Sequence, residues 1–307
     1  MKMSNMRVRY GETLLELGKQ DPRVVVLEAD LGKSTMTNAF KGQYPERYFE
    51  MGIAEADMTA FAVGLSLTGK VAFTNSFAVF ALGRAYDPVR QDVAYPGANV
   101  KIVGSSAGFS DYGDGASHQS IDDIALARVL PGMTVLVPGD GEEAARMTRW
   151  AATYDGPVYL RISRNDVPVI VPEDADVLSP VVLKDGGDVA ILSCGIMSAR
   201  ALAAAETLEK EGICARVVHI PCLKPLSDEA IREAVGDVKA VVTAEEHSVI
   251  GGLSAAVAWA LRGDARPLEA VAVMDQFGQS AQNPEVLLEA YGLTAENIAN
   301  TVKKVLK

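Results

Sequence analysis

Histidine, cysteine and tryptophan are scarce in this 307-residue chain, at three, three and two residues. Cys194, Cys214 and Cys222 are odd in number, and no two stand at C-x-x-C spacing, so neither a zinc knuckle nor a dithiol redox pair is indicated. Cys194 and Cys214 lie in apolar runs and are expected to be buried thiols. Positive charge is also short. Lys and Arg number 29 against 40 Asp and Glu, a net charge of −11. Such a balance does not suit nucleic acid or an anionic membrane surface, both of which want a basic face. No segment approaches the ~20 apolar residues of a membrane span. The start, MKMSNMRVRYGETLLEL, lacks the uninterrupted apolar run of a signal peptide. A cytoplasmic protein in a reducing compartment is the expectation.

Apolar residues make up 49% of the chain, enough for the cores of two domains. Apolar periodicity predicts a helix over 6–20, broken by Asp21-Pro22. Short β-branched runs predict strands at 24–27, 71–73, 101–104, 133–137 and 157–162. Helical stretches at 54–67, 77–93 and 141–154 fall between them. This alternation predicts an α/β fold: two doubly wound domains with mostly parallel sheets. The first domain is read as 1–165. Residues 166–187, with Pro168, Pro172, Pro180 and several acids, read as a linker. A second α/β domain is read at 188–307. Ligands of open parallel sheets bind beyond the carboxyl ends of the strands. That rule marks Asp30, the 74–77 stretch and the loop 105–118 as one candidate site.

Three segments there carry possible chemistry. Glu55 opens an otherwise apolar helix, where unpaired amides and the helix dipole stabilise a carboxylate. It reads either as a helix-start acid or as a functional group. Phe77 and Phe80, three apart, share one helical face. They read either as core or as a platform for a flat ring. The loop 105–118 is rich in Gly, Ser and Asp and is expected at a surface or cleft. His118 at its end reads either as an acid–base group or as a surface histidine before a helix. His219 and His247 read as structural or interface residues.

Taken together, GIAEADM (52–58), DGASHQ (114–119), EADL (28–31) and the ending 291–298 after Phe277-Gly278 resemble stretches of the transketolase family, in order and in approximate spacing. The similarity covers almost the whole chain. It implies a thiamine diphosphate enzyme that transfers a two-carbon ketol unit between ketose and aldose phosphates. Glu55 then matches the glutamate that hydrogen-bonds the cofactor's aminopyrimidine and favours its imino tautomer, the form that takes the thiazolium proton. Phe77 and Phe80 match the aromatics packed on the pyrimidine. Asp30 matches an aspartate near the cofactor at the subunit interface. His118 and Asp114 match contacts to substrate hydroxyls. Arg164 matches an arginine that holds the sugar phosphate, and Ser34 and Arg7 match further phosphate contacts. Asp57 and Ser106 stand where the full-length family often has histidine.

The family holds the diphosphate and Mg²⁺ in an N-terminal domain, and the resemblance does not extend to one. Gly139-Asp140-Gly141 and Gly113-Asp114-Gly115 read as decoys, since Glu142 and Glu143 would repel a diphosphate and the second belongs to DGASHQ. The resemblance therefore implies a partner: an N-terminal subunit holding diphosphate and metal, in a dimer of two-chain units, with no metal ligand expected in this chain. Alternative readings are the beta subunit of a 2-oxoacid dehydrogenase, a deoxyxylulose-phosphate synthase-like enzyme, and a subunit without catalysis.

Overall fold

A computed structural model describes residues 2–307. The helix Met6–Gln20 starts at Asn5, whose side chain accepts from the Val8 amide, and stops at Asp21, ahead of Pro22. All five residues of the strand Val24–Glu28 are buried. Each apolar side chain there contributes roughly 1.5–3 kcal/mol by burial, which keeps this strand inside a sheet, with a neighbour on each side.

That sheet has seven strands in the order Cys222–Lys224, Thr134–Leu136, Val158–Arg161, Val100–Ser105, Val71–Phe77, Val24–Glu28, Tyr48–Glu50. All pairs are parallel except the one made by Cys222–Lys224. The chain lays Tyr48–Glu50 on one side of Val24–Glu28 and then returns to place Val71–Phe77 on the other. Winding reverses there, so a crevice opens beyond the carboxyl ends of these strands. A second sheet has five strands in the order Leu268–Val273, Ala240–Ser248, Val189–Ser193, Ala215–His219, Val181–Lys184, the last antiparallel. The α/β reading with mainly parallel sheets in two units matches this architecture.

Three expectations need correction. The strand from Val71 runs on to Phe77, and no continuous helix covers 77–93. Two π-helical turns, Val79–Arg84 and Val89–Ala94, flank the short helix Tyr86–Pro88. Pro88 has no amide hydrogen to give, so regular α-helical bonding cannot pass through it. The stretch 166–187, read as a linker, carries two short strands: Asp166–Pro168 pairs with Met3–Asn5, and Val181–Lys184 edges the second sheet. The loop 105–118 is buried through Asp111, because the C-terminal half covers it. Finally, Cys214 is exposed, since it precedes the strand Ala215–His219 in a turn; Cys194 and Cys222 are buried. Among the described residues no helix is long and apolar enough to cross a membrane.

Candidate active site

Glu55 is the first residue of the helix Glu55–Leu67 and is only 1% exposed. The chain reaches it from the sheet: the Met51 amide donates to Glu28 O, and Gly52 turns with φ 69°. A buried carboxylate needs partners, and Glu55 has two. Ser76 Oγ, near the end of its strand, donates to Oε1 at 3.2 Å, and Arg84 Nη1 donates to Oε2 at 2.9 Å. Arg84 is 47% exposed. Its guanidinium lies 4.3 Å from the centroid of the Phe80 ring, a cation–π contact. Phe80 meets His118 edge-on at 5.2 Å and stacks on Phe77 at 6.3 Å and 17°. Phe77 ends a strand and Phe80 sits in a π turn, so they share a face without sharing a helix. Glu55, Ser76, Arg84, Phe80, Phe77 and His118 thus form one run of contacts at the crevice.

A second group adjoins it. Arg164 Nη1 lies 3.1 Å from Asp111 Oδ1, and Asp111 feels the charges of Asp114 and His118. Burial pushes Asp111 up and Asp114 adds to this, while Arg164 and His118 oppose it. Arg7 Nη1 donates to the Ser34 carbonyl at 3.1 Å. Burial pushes Arg7 down, and the like charge of Arg164 does the same. Arg7 and Arg164 meet because Asn5 does two jobs: it caps the helix that carries Arg7, and its Nδ2 donates to Arg164 O at 2.9 Å. Ser117 Oγ is 2.9 Å from His118 Nδ1; with the hydroxyl donating, the neutral ring keeps its proton on Nε2. Asp30 stands apart. It is exposed, with φ 61° and its amide donating to Glu50 Oε1 at 2.8 Å. A non-glycine residue in that left-handed region is strained, a state common at functional sites.

Residues 2–169 match the transketolase pyrimidine-binding domain, and residues 180–298 match the transketolase C-terminal domain. This chain belongs to the transketolase family. A solved structure described as a split-gene transketolase, an inactive beta4 tetramer, superimposes with a TM-score of 0.88 at 46% identity, covering 99% of this chain and 98% of that one. The putative transketolase C-terminal section of Methanocaldococcus jannaschii is 42% identical over 98% of this chain and 96% of its own length. The 6-deoxy-6-sulfo-D-fructose transketolase subunit SqwH of a Clostridium species is 40% identical, over 98% and 94%. Transketolases depend on thiamine diphosphate.

Other acids of this transketolase chain have structural work. Asp140 of Gly139-Asp140-Gly141 caps the helix Gly141–Thr153 by accepting from the Glu143 amide at 2.9 Å. Its second oxygen accepts from the Ile170 and Val171 amides, so the carboxylate is committed to the fold. Glu143 is held by His219 Nε2 at 2.8 Å, with Ser198 on the other ring nitrogen. His247 is buried; the Ala125 amide donates to its Nε2, and its Nδ1 lies 2.7 Å from Ser248 O. Burial pushes it down, so the neutral form is the favoured one.

Several crevice residues were not named individually from the sequence, although Glu28, Ser76 and Asp111 lie in stretches it marked. Glu28, fully buried at the end of its strand, accepts from Thr35 and Thr37 hydroxyls at 2.6 and 2.7 Å and is pushed up to about 7 by burial. Ser76 and Arg84 hold Glu55. Asp111 pairs with Arg164. Position at a strand's carboxyl end was the available signal for Glu28 and Ser76; no local signal marks Arg84.

Proposed function

We propose that this chain is the pyrimidine-side subunit of a transketolase that moves a two-carbon ketol unit from a ketose to an aldose, each with an anionic distal group. It is complete only with an N-terminal subunit that supplies the diphosphate and Mg²⁺ sites. One observation carries the reading: a buried carboxylate, Glu55, is linked through Arg84 to an aromatic pair and a histidine at the switch point of a parallel sheet.

The residues present fit the pyrimidine end of thiamine diphosphate. Glu55 is buried while its partner Arg84 is half-exposed, so the guanidinium can turn to water without being stranded. Phe77 and Phe80 offer a flat apolar face beside it. The same residues do not fit the diphosphate end, because Asp140 is consumed by the helix cap. Thiamine diphosphate, when bound, supplies the nucleophilic carbon to which the ketol unit is attached. Glu55 would hold the ring nitrogen and shift its proton. His118 and Asp114 would orient substrate hydroxyls, His118 moving a proton at Nε2. Arg7, Arg164 and Ser34 would hold the distal anion, and Asp30 would lie near the cofactor at the subunit interface. A dimer of two-chain units is the expected assembly. A reducing, cytoplasmic setting is supported by three unpaired cysteines.

The test is transfer by this chain mixed with its N-terminal partner, cofactor and Mg²⁺, with mass spectrometry of the aldose lengthened by two carbons. Product from wild type and its loss in Glu55→Ala support the reading; unchanged transfer by Glu55→Ala contradicts it. Pyruvate as donor in the same assay separates the deoxyxylulose-phosphate synthase-like and 2-oxoacid dehydrogenase alternatives, which require it.

A further inference from the structure

His118 stands on a turn that is mostly in water: Gly113, Asp114, Ala116 and Ser117 are exposed. Within the turn the amides of His118 and Gln119 converge on one acceptor, Gly115 O, at 2.9 and 3.2 Å. A turn with so few buried contacts opens easily unless it is tied from outside. Here the ties come from the C-terminal half, whose segment 277–281 lies along the loop 109–119. The Ala281 amide donates to Tyr112 O at 2.8 Å, and Ser280 Oγ occupies the place that a side chain at Gly115 would take. Tyr291 fixes the other end of the segment. Its hydroxyl donates to Phe277 O at 2.7 Å, and its ring packs 4.5 Å from Phe109. The central tie is Gln119, next to His118 in the chain and only 4% exposed. Its Nε2 donates to Asp111 O at 3.2 Å and to Gln279 O at 3.0 Å. Two carbonyls fix the orientation of this amide, because its oxygen could donate to neither. Oε1 is then buried without a donor, against Gly278, where a side chain would collide with it and with the Phe109 ring.

We infer that Gln119 and the segment 277–281 position His118, so that the C-terminal half takes part in the reaction without touching substrate. The inference rests on the ketol-transfer reading, in which His118 orients substrate hydroxyls and moves a proton. The imidazole has few contacts of its own. It meets Phe80 edge-on at 5.2 Å, and its hydrogen-bond partner Ser117 sits in the same turn, so Ser117 moves with it and cannot anchor it. The nearest fixed point is the Gln119 amide, which joins the base of the loop at Asp111 to the C-terminal half at Gln279. Releasing that amide frees the turn, and a misplacement of about 1 Å at a reacting group costs on the order of 100-fold in rate. Gln119 is thus a positioning residue, and Gly278 is what leaves room for it.

The experiment removes the tie while keeping its volume. Gln119→Met has a side chain of the same length and neither donor. In the reconstituted complex it should lower kcat/KM for ketol transfer about 100-fold. Combined with His118→Ala it should lower the rate no further, since a residue that acts through His118 then has nothing left to act on. An equal fall on both backgrounds overturns the inference, as does wild-type activity of Gln119→Met. Gln119→Glu is the conservative check. The introduced carboxyl donates to one of the two carbonyls only while protonated, so the ratio of its kcat/KM to that of wild type should climb as pH falls. A ratio independent of pH contradicts the donor role. The position of His118 is also read without turnover, by NMR of the full chain with ¹³C-labelled histidine, its signal being identified by loss in His118→Ala. The Phe80 ring current displaces that signal from the position of a free histidine. Collapse of the displacement in Gln119→Met keeps the positioning role even where wild type shows no ketol transfer, a result that would reject the transfer reading alone. An unchanged signal rejects the positioning role whatever the turnover.

Discussion

Two buried glutamates, each paired with an arginine, behave differently in this chain. Glu55 meets Arg84, which is 47% exposed and rests on the Phe80 ring. Glu246 meets Arg161, which is 5% exposed and bound on every side. Arg161 donates to Asp123 Oδ2 at 2.8 Å and to the Glu246 carbonyl at 2.9 Å, and Tyr159 OH donates to the same Asp123 oxygen. Glu246 in turn accepts from the Phe109 amide at 2.9 Å and lies where a side chain at Gly108 would be. Burial pushes Glu246 up to about 7 despite Arg161. One arginine can withdraw into water and the other cannot. The first arrangement is what a site needs if a ligand is to replace a partner. The second locks the loop 105–118 under the C-terminal half, and so fixes the floor on which Asp111 and His118 stand.

The contrast can be broken from either side. Glu55→Ala should lower ketol transfer by the reconstituted complex about 100- to 10,000-fold, while urea denaturation shows a loss of only about 1 kcal/mol for the orphaned Ser76 hydroxyl. Arg161→Leu should do the reverse. It strands Asp123 and Glu246 without a counter-charge, and the urea midpoint should register a loss of about 3–5 kcal/mol.

A third acid sharpens the comparison. Glu28 has no arginine, only hydroxyls and an amide, and burial raises it from 4.5 to about 7. A carboxyl raised by folding favours the folded state while protonated. Its contribution is complete below about pH 4.5 and is lost as pH rises through 7. Glu28 should therefore account for roughly 3 kcal/mol of the fall in urea stability across that window, and Glu28→Gln should make the fall smaller by that share, the rest belonging to Glu245 and Glu246, which burial raises to about 7 as well. The smallest effect belongs to Arg84→Ala. Arg84 is half-exposed, so water can take the place of its guanidinium beside the buried Glu55, and folding stability should move by about 1 kcal/mol in the same measurement.

Much of the frame is legible in the sequence. The helix Met6–Gln20 follows from its periodicity and from Asp21-Pro22, and the buried strands follow from runs of valine and isoleucine. What escapes is whatever depends on distant residues. The loop 105–118 looks polar and exposed by composition, yet Phe109 packs 4.5 Å from Tyr291 and its amide binds Glu246. Residues 77–93 look helical because Pro88 alone gives little sign that two π turns flank it. Glu55, Phe80 and His118 are each ambiguous alone; only their mutual contacts set them apart from a helix-start acid, a core ring and a surface histidine. Arg7 and Arg164 are 157 positions apart in the chain, and it is the small pairing of Met3–Asn5 with Asp166–Pro168 that joins them.

The central claim is that this chain supplies the pyrimidine side of a shared cofactor site. The most direct measurement is calorimetric titration of thiamine diphosphate with Mg²⁺ into this chain alone and into its mixture with the N-terminal subunit. Tight binding in the mixture, absent from the chain alone and weakened by Glu55→Ala, is the predicted result. Equally tight binding by the chain alone would contradict it, because Asp140 or Asp114 would then have to hold a metal and diphosphate that their observed hydrogen bonds and surroundings do not provide for.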